Sequence, residues 1–111
     1  MQKKKILLKG TGRTIPSEIA ERPLAPELTS EQLLRHIPDI SEICEVECVQ
    51  LFSLDSTNIQ PKHWARVAGA IRARYREFDG FVVSHGTDTM AYTAAGLSYL
   101  IQGSPKPIVL T

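Results

Sequence analysis

Cysteine is scarce in this chain: two residues in 111. Cys44 and Cys48 lie four apart, which is not the C-x-x-C spacing of a redox pair, and no second cysteine pair or His-x3-His completes a zinc set. A disulfide framework and a metal role are therefore not expected, and Cys48, in a stretch that reads as a strand, is expected to be a small buried hydrophobe. An excess of charge of one sign is missing too. Thirteen Lys and Arg against twelve Asp and Glu leave +1, which is no basic footprint for a nucleic acid. The short run Lys3 to Lys5 reads as a solvated end. Long apolar runs are absent as well: Ile6 to Leu8 is far too short for a signal-peptide core or a membrane span. No membrane partner is expected, and the cytoplasm is the expected compartment. There is no internal repeat and no low-complexity segment.

What is present suffices for a core. Hydrophobic residues make up 42% of the chain, and the length fits a single domain spanning residues 1–111. Lys5 to Lys9 reads as a buried parallel strand, followed by a loop, Gly10 to Thr14. Residues 15–28 hold Pro16, Pro23 and Pro26 and read as a long exposed loop. Thr29 to Gln32 fits a capping box opening a helix through His36, which Pro38 stops. Val46 to Leu54 reads as a second strand and Asp55 to Asn58 as a polar loop. Pro61 suits a first helical position, and Trp64, Val67, Ala68, Ile71 and Tyr75 follow at helical spacing, with Trp64 a core residue. Gly80 to Ser84 is a third strand, Asp88 to Ile101 a helix and Pro107 to Leu110 a fourth strand, with the turn at Gly103 to Pro107 between the last two.

Strand, loop and helix in alternation predict an α/β fold: a parallel sheet flanked by helices, flavodoxin-like or Rossmann-like. In such sheets the loops leaving the carboxyl ends of the strands gather on one edge, where ligands bind. The loops carrying Thr14, Ser56 with Thr57, and Thr87 with Asp88 all leave strands in that direction, so their polar residues should converge. Thr87 or Asp88 would also serve as a helix N-cap. A hydroxyl nucleophile needs a base and oxyanion donors. Asp88 can fix a substrate cation or orient Thr87. His85 invites a role as base, but its place at the strand end suits packing or capping. "KGTGRT" has the composition of a phosphate loop, yet it lacks both G-x-x-x-x-G-K-[ST] and the third glycine of the dinucleotide fingerprint.

The stretches "ILLKGTGRTI", "LDSTNIQPKHW", "FDGFVVSHGTDTMAYTAAGLSYL" and "KPIVLT" together resemble the L-asparaginases, in particular the cytoplasmic bacterial type I group. The resemblance covers essentially the whole chain, and HGTDTMAYT is its most specific part. It implies hydrolysis of the side-chain amide of L-asparagine to aspartate and ammonia, without a cofactor. The family's TGGTI motif falls on Thr11 to Ile15, which makes Thr14 the implied nucleophile, forming an acyl-enzyme that water opens. HGTDT supplies Thr87 as the second catalytic threonine and Asp88 for the substrate α-amino group. Ser56, with Thr57 beside it, matches the serine that binds the α-carboxylate.

Three departures accompany the match. Arg13 stands where TGGTI has its second glycine, a costly exchange if that position needs a positive φ or close backbone approach. Residues 15–28 hold no tyrosine, which some members of the family carry there. The lysine that pairs with the second threonine, and the smaller C-terminal domain, belong to the part of the family pattern beyond Thr111. The resemblance thus implies an incomplete amino-terminal domain with an uncovered fourth strand, and a homo-oligomer. Two rivals stand beside this reading: an inactive binding or assembly module, and the related amidotransferase subunit that works on misacylated transfer RNA.

Overall fold

β1 (Lys4–Gly12) runs through the middle of a four-stranded sheet of order β2-β1-β3-β4, with β2 (Cys44–Leu54), β3 (Gly80–Ser84) and β4 (Ile108–Leu110). Every pairing is parallel. The computed structural model describes residues 3–12, 35, 37 and 39–111. Arg13, Thr14, the expected 15–28 loop and the expected helix from Thr29 to His36 with its stop at Pro38 lie outside the described residues.

Parallel neighbours need long crossovers, and helices supply two of them. α2 (Pro61–Ala73) joins β2 to β3, and α3 (Met90–Leu100) joins β3 to β4. A short α1 (Ile40–Ile43) leads directly into β2. Alternate strand residues point to one face, where Leu7, Phe81 and Val83 meet Val67, Ala68 and Ile71 of α2 and Leu97 of α3 in one buried cluster. Pro61 occupies the first helical position, and His63 Nδ1 accepts from the Gln60 N–H at 2.8 Å, closing that end. Trp64 is half-buried; it packs on α3 and donates from Nε1 to Thr93 Oγ1 at 3.0 Å.

The β1–β3 pair is tied at both ends. Lys5 N–H donates to Asp79 Oδ2 and Asp79 N–H to Lys5 O, each at 2.8 Å, at the amino edge. At the carboxyl edge Thr11 Oγ1 donates to Ser84 O at 2.5 Å. β1 thus runs on to Gly12 where the sequence predicts a loop from Gly10, because Gly12 still pairs with Leu54 across an irregularity between Gly10 and Gly12. α3 begins at Met90, not Asp88, so Thr87 and Asp88 are not its cap; Thr89 holds that position. Of the cysteines it is Cys44 that is buried, its thiol directed at the Ile40 carbonyl at 3.8 Å, while Cys48 is half-buried. At the far edge Val109 is exposed, and a groove of about 530 Å³ lies between α3 and β4, lined by Met90, Ala94, Leu97, Ile101, Ile108 and Leu110.

The α2–α3 crossing depends on Gly96. A Cβ there would lie 2.4 Å from Trp64 Cε3. Overpacking of this kind costs about 1–3 kcal/mol, against about 1 kcal/mol that alanine gains over glycine in a helix. Gly96→Ala is expected to lower the urea midpoint, and Gly96→Val to lower it further. A midpoint raised by the alanine would show that Trp64 moves freely.

Lys9 is the unexpected member of the core face, 4% exposed between Leu7 and Thr11. Burial, then the nearby Arg74 guanidinium, push its amino group below the ordinary lysine range, with Glu47 opposing. Among the described residues its Nζ makes no hydrogen bond. A folded-state pKa below the unfolded value means that the unfolded chain binds the extra proton. Stability therefore rises with pH between the lowered value and 10.5. Lys9→Met is expected to flatten that rise and to add about 1 kcal/mol at neutral pH, since it removes a buried polar group that lacks a hydrogen bond among the described residues. Urea unfolding of both proteins from neutral to alkaline pH checks it.

Candidate active site

The order β2-β1-β3 reverses direction at β1 and β3, which makes their carboxyl ends the switch point where ligands bind open parallel sheets. The described loops around that point are joined by contact. After β2 comes a 3-10 turn, Ser56–Asn58, preceded by Asp55, whose Oδ1 accepts from Thr57 N–H at 3.4 Å. This turn reaches across the end of β1 to the loop after β3. There Thr89 Oγ1 donates to Ser56 O at 2.6 Å.

Gly86 makes the approach possible. A Cβ on it would stand 2.7 Å from Ser56 Cβ and 2.9 Å from Ser56 Oγ, too close for any side chain without a shift. Ser56 is buried at 4% exposure, and its hydroxyl makes no hydrogen bond among the described residues. Buried hydroxyls are normally paired, which marks Ser56 Oγ as a candidate site atom at the loop junction. Thr57, Thr87 and Asp88 are exposed, and neither Thr87 nor Asp88 makes a side-chain hydrogen bond or ion pair among the described residues. Thr89 holds the cap position of α3 without a side-chain cap bond, and the Thr87 carbonyl accepts from Met90 N–H at 3.4 Å.

Of the residues singled out in the sequence, the structure brings Ser56, Thr87 and Asp88 onto two touching loops, with Thr57 beside Ser56. Thr14 lies outside the described residues, two positions beyond the end of β1. Thr89 and Gly86 escape the reading of the sequence, although they join the loops. The only signal for Thr89 is its place two residues after Thr87 in HGTDT.

Comparison with known proteins decides the lineage. The sequence pattern described as "Asparaginase, N-terminal" matches residues 5–111. The chain belongs to the asparaginase family. Its fold agrees: the L-asparaginase of Thermococcus kodakarensis superposes with a TM-score of 0.76 at 35% identity, over 96% of this chain and 33% of that one. L-asparaginase I of Vibrio cholerae gives 0.79 at 32%, over 97% and 33%. Curated relatives carry another name, that of a glutamyl-tRNA(Gln) amidotransferase component. The one from Metallosphaera sedula is 41% identical over 96% of this chain and 25% of its own length. Its namesake from Pyrococcus abyssi is 42% identical over 91% and 24%. This asparaginase-family domain spans about a quarter of the length of those curated relatives.

No helix among the described residues is long and apolar enough to cross a membrane.

Proposed function

We propose that this domain supplies the amino-terminal half of a site that hydrolyses the side-chain amide of L-asparagine. The observation that supports it most is the junction of the Ser56 turn with the loop at Gly86 and Thr89. It leaves a buried hydroxyl, unsatisfied among the described residues, beside an exposed hydroxyl and an exposed carboxylate. In this reading Asp88 holds the substrate α-ammonium by charge, and Ser56, with Thr57 beside it, holds the α-carboxylate. Thr14 Oγ attacks the carboxamide carbon, and its proton passes to the departing nitrogen as ammonia leaves. The ester so formed on Thr14 is opened by water to give aspartate, Thr87 being the second threonine of the reaction. No cofactor takes part. We place the protein in the cytoplasm as a homo-oligomer.

A second reading is favoured by the curated relatives named as an amidotransferase component, at 41–42% identity. There the same half-site would release ammonia for transfer to glutamyl-tRNA(Gln) within a complex. One experiment separates the two. Ammonia release is measured from L-asparagine and from L-glutamine, by a chain carrying the complete site, with and without glutamyl-tRNA(Gln) and the companion polypeptide of such a complex. Asparagine turnover independent of the RNA and the companion supports the hydrolase. Turnover that appears only with them moves the domain to the amidotransferase, and none in either case overturns both.

A further inference from the structure

We propose that His85 is a positioning residue of this site, its ring held in the Nδ1–H tautomer so that it clamps the Gly86 carbonyl and thereby fixes the peptide that carries Thr87. The side chain is buried, 2% exposed, at the end of β3. Its Nδ1 lies 2.6 Å from Gly86 O. A carbonyl oxygen only accepts, so Nδ1 bears the proton. Nε2 lies 2.8 Å from Thr93 Oγ1, and the same hydroxyl receives the Trp64 Nε1–H at 3.0 Å. An indole N–H only donates, so the Thr93 hydroxyl accepts from Trp64 and passes its own proton toward Nε2.

Every donor in this series meets one acceptor. It runs from Trp64 on α2 through Thr93 on α3 to His85, and ends on the backbone of the site loop. Both ring nitrogens are committed, which removes His85 as a general base: no lone pair is left to take a proton from a threonine or a substrate. The clamp has work to do because Gly86 is small by necessity, facing Ser56 at close range, and glycine holds its own peptide planes weakly. The plane fixed at Gly86 sets the direction in which Thr87 and Asp88 leave the strand. Helix packing 29 residues apart in sequence, Trp64 to Thr93, is in this way connected to the aim of two exposed site residues.

The kinetic consequence rests on the amide-hydrolysis reading, whereas the tautomer does not, and the test uses both. Nitrogen-15 NMR of the histidine rings at alkaline pH is expected to show His85 with a protonated Nδ1 and a bare Nε2. A ring protonated at Nε2 overturns the proposal, and this measurement requires no substitution. In kinetics, His85→Asn keeps an amide N–H near the Nδ1 position and loses the bond to Thr93. His85→Gln keeps an acceptor toward Thr93 and loses the bond to Gly86. Both are expected to lose melting temperature to a similar degree. His85→Asn is expected to retain kcat within about tenfold, while His85→Gln loses about 10²-fold in kcat with a smaller change in KM, as misplacement of about 1 Å does. Equal losses for the two would reduce His85 to packing and overturn the proposal. With the kinetics run on a chain that carries the complete site, a wild type without amidase activity would sink the functional reading instead, and the NMR result would still decide the clamp.

Discussion

Replacing Thr14 or Thr87 by alanine in a chain that carries the complete site is expected to lower ammonia release from L-asparagine by at least about 10³-fold, with the melting temperature nearly unchanged. The size follows from what each hydroxyl is asked to do. Without the nucleophile no acyl-enzyme forms, and a factor of 10³ corresponds to about 4 kcal/mol of barrier. The unchanged stability follows from the surroundings of Thr87. It is exposed, precedes α3 without capping it, and makes no side-chain bond among the described residues. Surface substitutions of that kind stay within about 0.5 kcal/mol. Steady-state kinetics and thermal unfolding of the two variants decide the matter. An unaltered rate for Thr14→Ala would move the nucleophile to Thr87. Unaltered rates for both would end the amidohydrolase reading.

Site and scaffold differ in how far the sequence makes them legible. β3 is legible at both ends because apolar residues stand between Gly80 and the polar loop. α2 is readable from Pro61 and the spacing of Val67, Ala68 and Ile71, all buried. The end of β1 is hidden by Gly10 and Gly12, which read as loop residues but stay in the sheet through pairing with β2, a tertiary effect no local pattern carries. α1 has four residues, too few for a helical period. The start of α3 is displaced by two residues from its expected place because Thr87, Asp88 and Thr89 are all acceptable caps by residue type. What separates them is that Thr89 alone reaches Ser56 O from the next loop. Burial of Lys9 and the closed series from Trp64 to Gly86 are likewise invisible, since each joins residues far apart in sequence.

That difference bears on where the convergence of the site can be foreseen. The rule that loops gather at the carboxyl edge brings Ser56 and Thr87 to the same side of the sheet from the strand pattern alone. It says nothing of how closely they meet. The contact distance is fixed by a single missing side chain at Gly86, and the orientation by a histidine whose sequence context suggests chemistry of its own.

The largest effect after the threonines belongs to Arg13 together with the reach of the chain. The 111-residue chain alone is expected to release little ammonia from L-asparagine. A chain continued with the C-terminal part of an asparaginase relative is expected to release much more, and Arg13→Gly in the longer chain to increase release again. The first step follows from proton management. Thr87 makes no side-chain bond to a base among the described residues, and general acid–base assistance is worth about 10²–10⁴-fold. An added domain would also exclude water from loops that stand exposed at Thr57, Thr87 and Asp88. The second step follows from the resemblance, in which Arg13 stands where the family's TGGTI has a glycine. Arg13 immediately follows Gly12, the last strand residue, and immediately precedes Thr14. If that position needs a left-handed conformation, as a family glycine there would allow, an L-residue costs about 1–2 kcal/mol, and Arg13→Gly removes that cost. Ammonia release by the short chain, the long chain and the long chain with Arg13→Gly reads all three terms. Equal rates for short and long chains would mean that nothing beyond Thr111 assists Thr87, and the mechanism would fall. A glycine without effect would remove only the claim about Arg13.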